Sequence, residues 1–146
     1  PCQVVCSESC AGRIADPKKN LAAYFKAIAL QKDKSEKAAL EGFLEPRYAC
    51  RADRTYTGRL EICWENLTLN LREAPGHSPG SQLIEVGKHW YFTGDSLIPE
   101  TPLVTQLPGG SRKLYEEKTR PCLEAISPGS ILFPGHGGES VFSGEL

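Results

Sequence analysis

Two stretches of this chain place a histidine directly behind a strand-like apolar run that ends in Pro-Gly. One is Ala74-Pro75-Gly76-His77-Ser78-Pro79-Gly80 and the other is Phe133-Pro134-Gly135-His136-Gly137-Gly138. Pro and Gly let a backbone leave a strand sharply and leave little bulk around the next side chain. A side chain held at such a rigid strand end is where function concentrates. A third run, Tyr91-Phe92-Thr93-Gly94-Asp95-Ser96, again ends a strand in Gly and offers an acid, Asp95. Two imidazoles and a carboxylate suit Zn²⁺, with Fe or Mn as alternatives. The competing reading is three unrelated turns whose polar residues bond only within their own loops. His89, the remaining histidine, sits inside a hairpin strand beside Trp90 and reads as a structural or surface residue.

The rest of the chain bounds the fold. Its 146 residues argue for one domain, or one large piece of a domain. Hydrophobic residues at 40% and charged residues at 24% exclude a wholly disordered chain. The formal net charge of -1 gives no basic surplus, so a nucleic-acid partner is not expected. No run approaches the ~20 apolar residues that span a bilayer. There is no Met, and the chain opens directly on the strand-like Pro1-Cys2-Gln3-Val4-Val5, which points to residues upstream. Six scattered Cys read as reduced thiols of a cytoplasmic protein, with Cys63 a small buried hydrophobe. Cys2, Cys6 and Cys10 are spaced too widely for the short Cys-x-x-Cys pairs of zinc sites.

The pattern along the chain is mixed. Ser7 reads as the N-cap of a short helix over 8–14, after a β-prone run from Gln3 to Cys6. Asp16-Pro17 reads as the start of an amphipathic helix carrying Leu21, Tyr24, Phe25, Ile28 and Ala29 and ending near Leu30. Residues 31–38 are charged and read as a helix end or surface loop. Leu60, Ile62 and Trp64 alternate, as do Leu67, Leu69 and Leu71, giving two strands around a turn at Glu65-Asn66. Gln82 to Thr93 reads as a hairpin turning at Gly87-Lys88. Leu114, Lys118, Cys122 and Ile126 share a helical face despite Pro121, and Ile131-Leu132-Phe133 makes a last strand.

Pro-Gly-His-Ser-Pro-Gly-Ser, then Phe-Thr-Gly-Asp-Ser-Leu, then Phe-Pro-Gly-His-Gly together resemble the metallo-β-lactamase superfamily in order and spacing. The likeness is strongest from Asp53 to Gly138. It implies an α/β (α+β) fold, with residues 1–146 forming a single partial domain, the C-terminal half of an αββα sandwich. It implies His77 as a ligand of a first metal, Asp95 as a catalytic bridge between two metals, and His136 as a ligand of the second. The cofactor would be one or two Zn²⁺, or Fe or Mn. The implied activity is hydrolysis of an ester, thioester, amide or phosphodiester of a small-molecule substrate by metal-bound hydroxide. Asp95 at the bridging position, where secreted β-lactamases of the best-known class usually carry Cys, is more similar to the glyoxalase-II-like and general hydrolase branch.

The chain also departs from the family. Its upstream His-x-His-x-Asp-His motif is absent here, and all three histidines of the chain are otherwise accounted for. The expectation is a fragment that binds metal loosely or not at all and has little activity by itself. The alternating strands between Leu60 and Leu71 would leave an apolar sheet face needing cover, from a homodimer partner or a missing N-terminal half. No membrane partner is expected. The reading from a different class is a scaffold or interaction module that kept the fold and lost the metal centre.

Overall fold

The computed structural model describes residues 2–30 and 45–146, in two compact units, residues 1–55 and 56–146. The charged run 31–38 lies outside the described residues.

In the first unit, strand β1 (Val5–Ser7) leads directly into helix α1 (Glu8–Ile14). Ser7 is its N-cap: the hydroxyl accepts a hydrogen bond from the Cys10 backbone N–H, one of the donors that a helix start leaves unpaired. The Val4 carbonyl accepts from the backbone of Asp53 and Arg54, where strand β2 (Arg54–Tyr56) begins beside β1. The helix expected from Pro17 starts later. Asp16 closes a turn instead, its carboxylate accepting from Lys18 N and its carbonyl from Asn20 N. Leu21 then sits at φ 68°, and a 3₁₀ turn (Ala22–Tyr24) runs into α2 (Phe25–Ala29). Asn20, just before the cap residue Leu21, makes an Asx turn, its side-chain oxygen accepting from Ala22 N at 2.9 Å. Asp16-Pro17 is thus a turn signal, outcompeted as a helix start by an Asx turn four residues on.

The second unit is a six-stranded sheet in simple sequence order: β3 (Arg59–Trp64), β4 (Leu67–Glu73), β5 (Gln82–Val86), β6 (Trp90–Gly94), β7 (Ile131–Pro134) and β8 (Ser140–Val141). Neighbours are antiparallel except β6 and β7, which are parallel. A parallel pair needs a crossover, and the chain supplies a helix between them. This helix, α3, is built of a short α-turn (Arg112–Leu114), a π segment (Tyr115–Thr119) and an α segment (Arg120–Glu124). Ser111 caps it by accepting from Leu114 N. In the π segment Arg120 N–H reaches back to the Tyr115 carbonyl. The widened turn comes just before Pro121, whose missing N–H would break the ladder of a regular helix.

Register decides what each sheet face carries. The row Glu61, Asn70, Glu85, Tyr91, Leu132, Ser140 points to the side that takes α3. There Ala74, Leu83, Tyr115, Leu123, Ile126, Leu132 and Phe142 form the core, with Tyr91 and Cys122 packed against it. Burial, followed by the charge and hydrogen bond of Glu85 opposite, pushes the Tyr91 phenol above its usual pKa. The buried positions of α3 are Tyr115, Thr119 and Leu123, then Ile126 just beyond it, whereas Lys118 is exposed and Leu114 and Cys122 are half-buried. The face expected at Leu114, Lys118 and Cys122 is therefore displaced by one residue. Thr119 misled the pattern because a polar residue reads as outward-facing, yet here it is buried on a carbonyl partner.

The other sheet face is apolar across every strand. One row runs Ile62, Leu69, Val86, Trp90, Ile131, Val141, and a second runs Leu60, Leu71, Ile84, Phe92, Phe133. Phe92 and Phe133 stack with ring centroids 4.9 Å apart. Cys63, expected to be buried, points to the opposite side from Ile62 and is exposed. Strand alternation, rather than its apolar neighbours, sets its direction. None of the six cysteines is in a disulfide.

Candidate metal centre

Because β4 is antiparallel to β5 and β5 to β6, strands β4, β6 and β7 all run in one direction. Their C-terminal ends therefore meet at one edge of the sheet. His77 follows β4, Asp95 follows β6 and His136 follows β7. The structure brings the three together on a single atom. His77 Nε2 lies 3.2 Å from Asp95 Oδ2, and His136 Nε2 lies 3.7 Å from the same oxygen. His77 and Asp95 are largely shielded, while the His136 side chain is 77% exposed.

Glycine makes the approach possible. Gly76 has φ 155°, and a Cβ there would stand 2.6 Å from Tyr115 Cβ, so α3 packs on the bare backbone that precedes His77. A Cβ on Gly135 would collide with the Asp95 carboxylate. Gly94, at φ 51°, follows the register shift between β6 and β7 and turns Asp95 off the strand end. The loops are then tied to one another. Ser96 Oγ donates to the Ala74 carbonyl at 3.3 Å, linking the Asp95 loop to the His77 loop. Thr119 Oγ1 of α3 donates to the Pro75 carbonyl at 2.6 Å, and Ser111 N donates to the Gly76 carbonyl at 2.8 Å. Ser96 thus ties two loops together instead of capping its own turn, and its side chain is buried. Thr119, Ser111, Gly76 and Gly135 were missed as site residues from sequence. Only the Pro-Gly-His context signalled that the strand ends would be closely approached.

The Thr119 tie is testable. Thr119→Val keeps the shape and strands a buried carbonyl, at a cost of about 1–3 kcal/mol. The urea midpoint should fall accordingly, and an unchanged midpoint would show that the bond contributes nothing.

His77 Nδ1 lies 3.0 Å from the Val104 backbone carbonyl. A carbonyl only accepts, so Nδ1 carries the proton and the Nε2 lone pair faces Asp95. Two acceptors 3.2 Å apart repel unless a second ring proton or a cation lies between them. The donor set thus fits a cation: two imidazole nitrogens and a carboxylate, one imidazole oriented by a backbone carbonyl in the manner of metal-ligating histidines. Ligand atoms ~2.1 Å from a tetrahedral ion stand ~3.4 Å from each other, close to the separations found here. In the structure as it stands the Asp95 oxygen itself fills the middle, and among the described residues no group of three or more His, Cys, Asp or Glu is set out as a cage for an ion.

The three side chains open into a cleft of ≈ 870 Å³, walled by Leu97, Ile98, Leu103, Val104 and Leu107. Tyr91 packs in the core and Trp90 on the far sheet face, and neither lines the cleft. His89 is exposed at the other end of β6, its carbonyl accepting from Ile131 N, as expected for a structural residue. Burial first, and the neighbouring Cys6 thiol second, push the Cys10 thiol up to about 11, which makes it a poor nucleophile.

No family model and no curated protein matches this sequence. Solved structures do. A B3 metallo-β-lactamase, BLEG-1, superposes with a TM-score of 0.68 at 20% identity, over 95% of this chain and 59% of its own. TTHA1623 in a di-iron-bound form gives 0.64 at 20% identity, again over 95% and 59%. A metallo-β-lactamase family protein from Thermus thermophilus, TTHA1429, gives 0.61 at 13% identity, over 97% and 48%. The chain thus spans three-fifths or less of the length of these structures. With its mixed sheet, its crossover helix and the loops of His77, Asp95 and His136 at one sheet edge, the chain has the metallo-β-lactamase fold.

Proposed function

We propose that this chain carries part of the active site of a metal-dependent hydrolase, with His77, Asp95 and His136 as metal ligands. The observation that supports this reading is the approach of both histidine Nε2 atoms to Asp95 Oδ2 at the floor of an apolar-walled cleft. The cofactor would be Zn²⁺, or Fe or Mn, and the three donors suffice for one ion with an open position. When bound, such an ion lowers the pKa of water and polarises a carbonyl or phosphoryl oxygen.

The chain's own residues supply positioning. Val104 fixes the His77 tautomer, Gly135 leaves room for the carboxylate, and Ser96 and Thr119 hold the His77 loop against the Asp95 loop and α3. Asp95 would supply the carboxylate that holds the ion, at the oxygen both histidines approach. The cleft is lined by leucine, isoleucine and valine together with the charged Glu100, Arg112, Arg120 and Glu145, and suits a small substrate with both apolar and charged parts. Esters, thioesters, amides and phosphodiesters are the substrate classes in keeping with this chemistry. Six thiols free of disulfides support a cytoplasmic setting; no described helix is long and apolar enough to cross a membrane.

The second reading is a module that kept the fold without the metal. Zinc titration of the 146-residue chain separates the two. We expect one weakly held equivalent that disappears in the His77→Ala, His136→Ala double variant, with ester and phosphodiester turnover far below that of an intact hydrolase. A wild-type chain indistinguishable from the double variant in zinc binding would sink the metal reading. Vigorous turnover would sink the view that ligands are missing.

A further inference from the structure

We propose that Arg112 and Arg120 of α3 form an anion subsite of the cleft, so that its substrate carries a carboxylate or phosphate group on an apolar body. The proposal rests on the hydrolase reading above and names its substrate class. Arg112, Glu116, Arg120 and Glu124 follow one another at i, i+4 spacing along α3 and are linked in series. Arg112 Nη2 stands 2.5 Å from Glu116 Oε1, Arg120 Nη1 3.1 Å from Glu116 Oε2, and Arg120 Nε 2.8 Å from Glu124 Oε1. On an exposed helix such a series is ordinarily a solvated ladder that contributes little. Here the two bases line the cleft and the two acids do not.

A guanidinium has more donors than this ladder uses. The ion pairs engage Nη2 of Arg112 and Nε and Nη1 of Arg120, so Nε and Nη1 of the first and Nη2 of the second remain for a further acceptor. Because both side chains are held on one carboxylate, that of Glu116, they stand close enough to share a second anion. Arg112 is steadied further by the Tyr115 ring, 5.7 Å from its guanidinium carbon. The subsite also lies beside the metal trio. Ser111 N donates to the Gly76 carbonyl, and Arg112 and His77 are the next residues on either side of that bond. One small molecule can therefore reach the trio with its scissile group and Arg112 with its anion, its body lying against Leu97, Leu103 and Val104. Glu100 and Glu145 line the same cleft and repel an anion placed near them, which narrows its position to α3. A contact remote from the reacting bond orients that bond.

Hexanoate and hexyl phosphate are the probes, with hexanamide as the uncharged match. The titrations use buffer stripped of metal on a chelating resin, so that no ion recruits the anion. The Nε–Hε resonances of Arg112 and Arg120 should shift and saturate with at least one of the two anions, and the tighter of them identifies the group. Hexanamide should move neither resonance. Arg112→Gln with Arg120→Gln should weaken the tighter anion roughly 10-fold or more, as the loss of charged hydrogen bonds does. Their side chains are 62% and 48% exposed, and unchanged circular dichroism checks that the fold survives. Arg120→Gln alone is the milder variant and should move the dissociation constant in the same direction. Hexanamide binding as tightly as the anions overturns the proposal, as does an affinity that the double variant leaves unchanged. Zinc titration of the wild-type chain reads the metal separately. Zinc bound with neither anion bound overturns the subsite and leaves the metal reading standing. An anion held at the two arginines by a chain that binds no zinc upholds the subsite and removes the hydrolase reading.

Discussion

Asp95→Ala should lower zinc affinity by more than ~100-fold, the upper end of what losing an outer-shell partner costs a metal site. Asp95 is the group that both histidines approach, at 3.2 and 3.7 Å. Removing the carboxylate leaves two neutral imidazoles on separate loops with no charge to offset that of a divalent ion. Asp95→Asn is the sharper variant. It keeps the volume beneath Gly135 and the backbone of the β6 end, but removes the charge. Competition titration against a chromophoric chelator reads both. If Asp95→Asn binds zinc as the wild type does, the carboxylate is not a ligand and the trio is only a hydrogen-bonded turn cluster.

Gly76→Ala should be strongly destabilising. The added carbon would meet Tyr115 Cβ at 2.6 Å, and the residue would be held at φ 155°. Overpacking costs ~1–3 kcal/mol and backbone strain a similar ~1–3 kcal/mol, so a loss of about 2–6 kcal/mol is expected. With a urea slope of ~2 kcal/mol/M, the midpoint should drop by roughly 1–3 M. Tyr115→Gly removes the Cβ that crowds this position most closely, which an alanine there would keep. In that background Gly76→Ala should cost clearly less, which a double-mutant cycle measures. Additive effects would show that Tyr115 is not what excludes a side chain at Gly76.

The sheet was largely legible in the sequence because its signals are local. Period-two alternation in Leu60–Trp64 and Leu67–Leu71, and a glycine turn at Gly87, are written within a few residues. The short helix behind Ser7 was equally local, set by one hydroxyl on one backbone N–H. The site residues His77, Asp95 and His136 were legible as strand-end residues, and their approach to one oxygen follows from strand direction, which the hairpin pattern and one crossover helix fix. What the sequence hid are interactions that depend on a distant partner. Thr119 is buried only because the Pro75 carbonyl awaits it 44 positions away. The Val104 carbonyl that orients His77 belongs to a loop with no periodic signal. Asn20 overruled Asp16-Pro17 as a helix start because two capping sequences competed and only one fitted the following turn.

The common direction of β4, β6 and β7 also says something about the opposite rim of the sheet. There lie the turns at Glu65-Asn66 and Gly87 to His89 and the entry to β7 at Gly129, each about a strand length from the cleft. The molecule therefore separates the rim that carries His77, Asp95 and His136 from a rim of short turns. Peptide tags or added loop residues at the second rim should leave the first untouched, giving an attachment point for immobilisation or labelling.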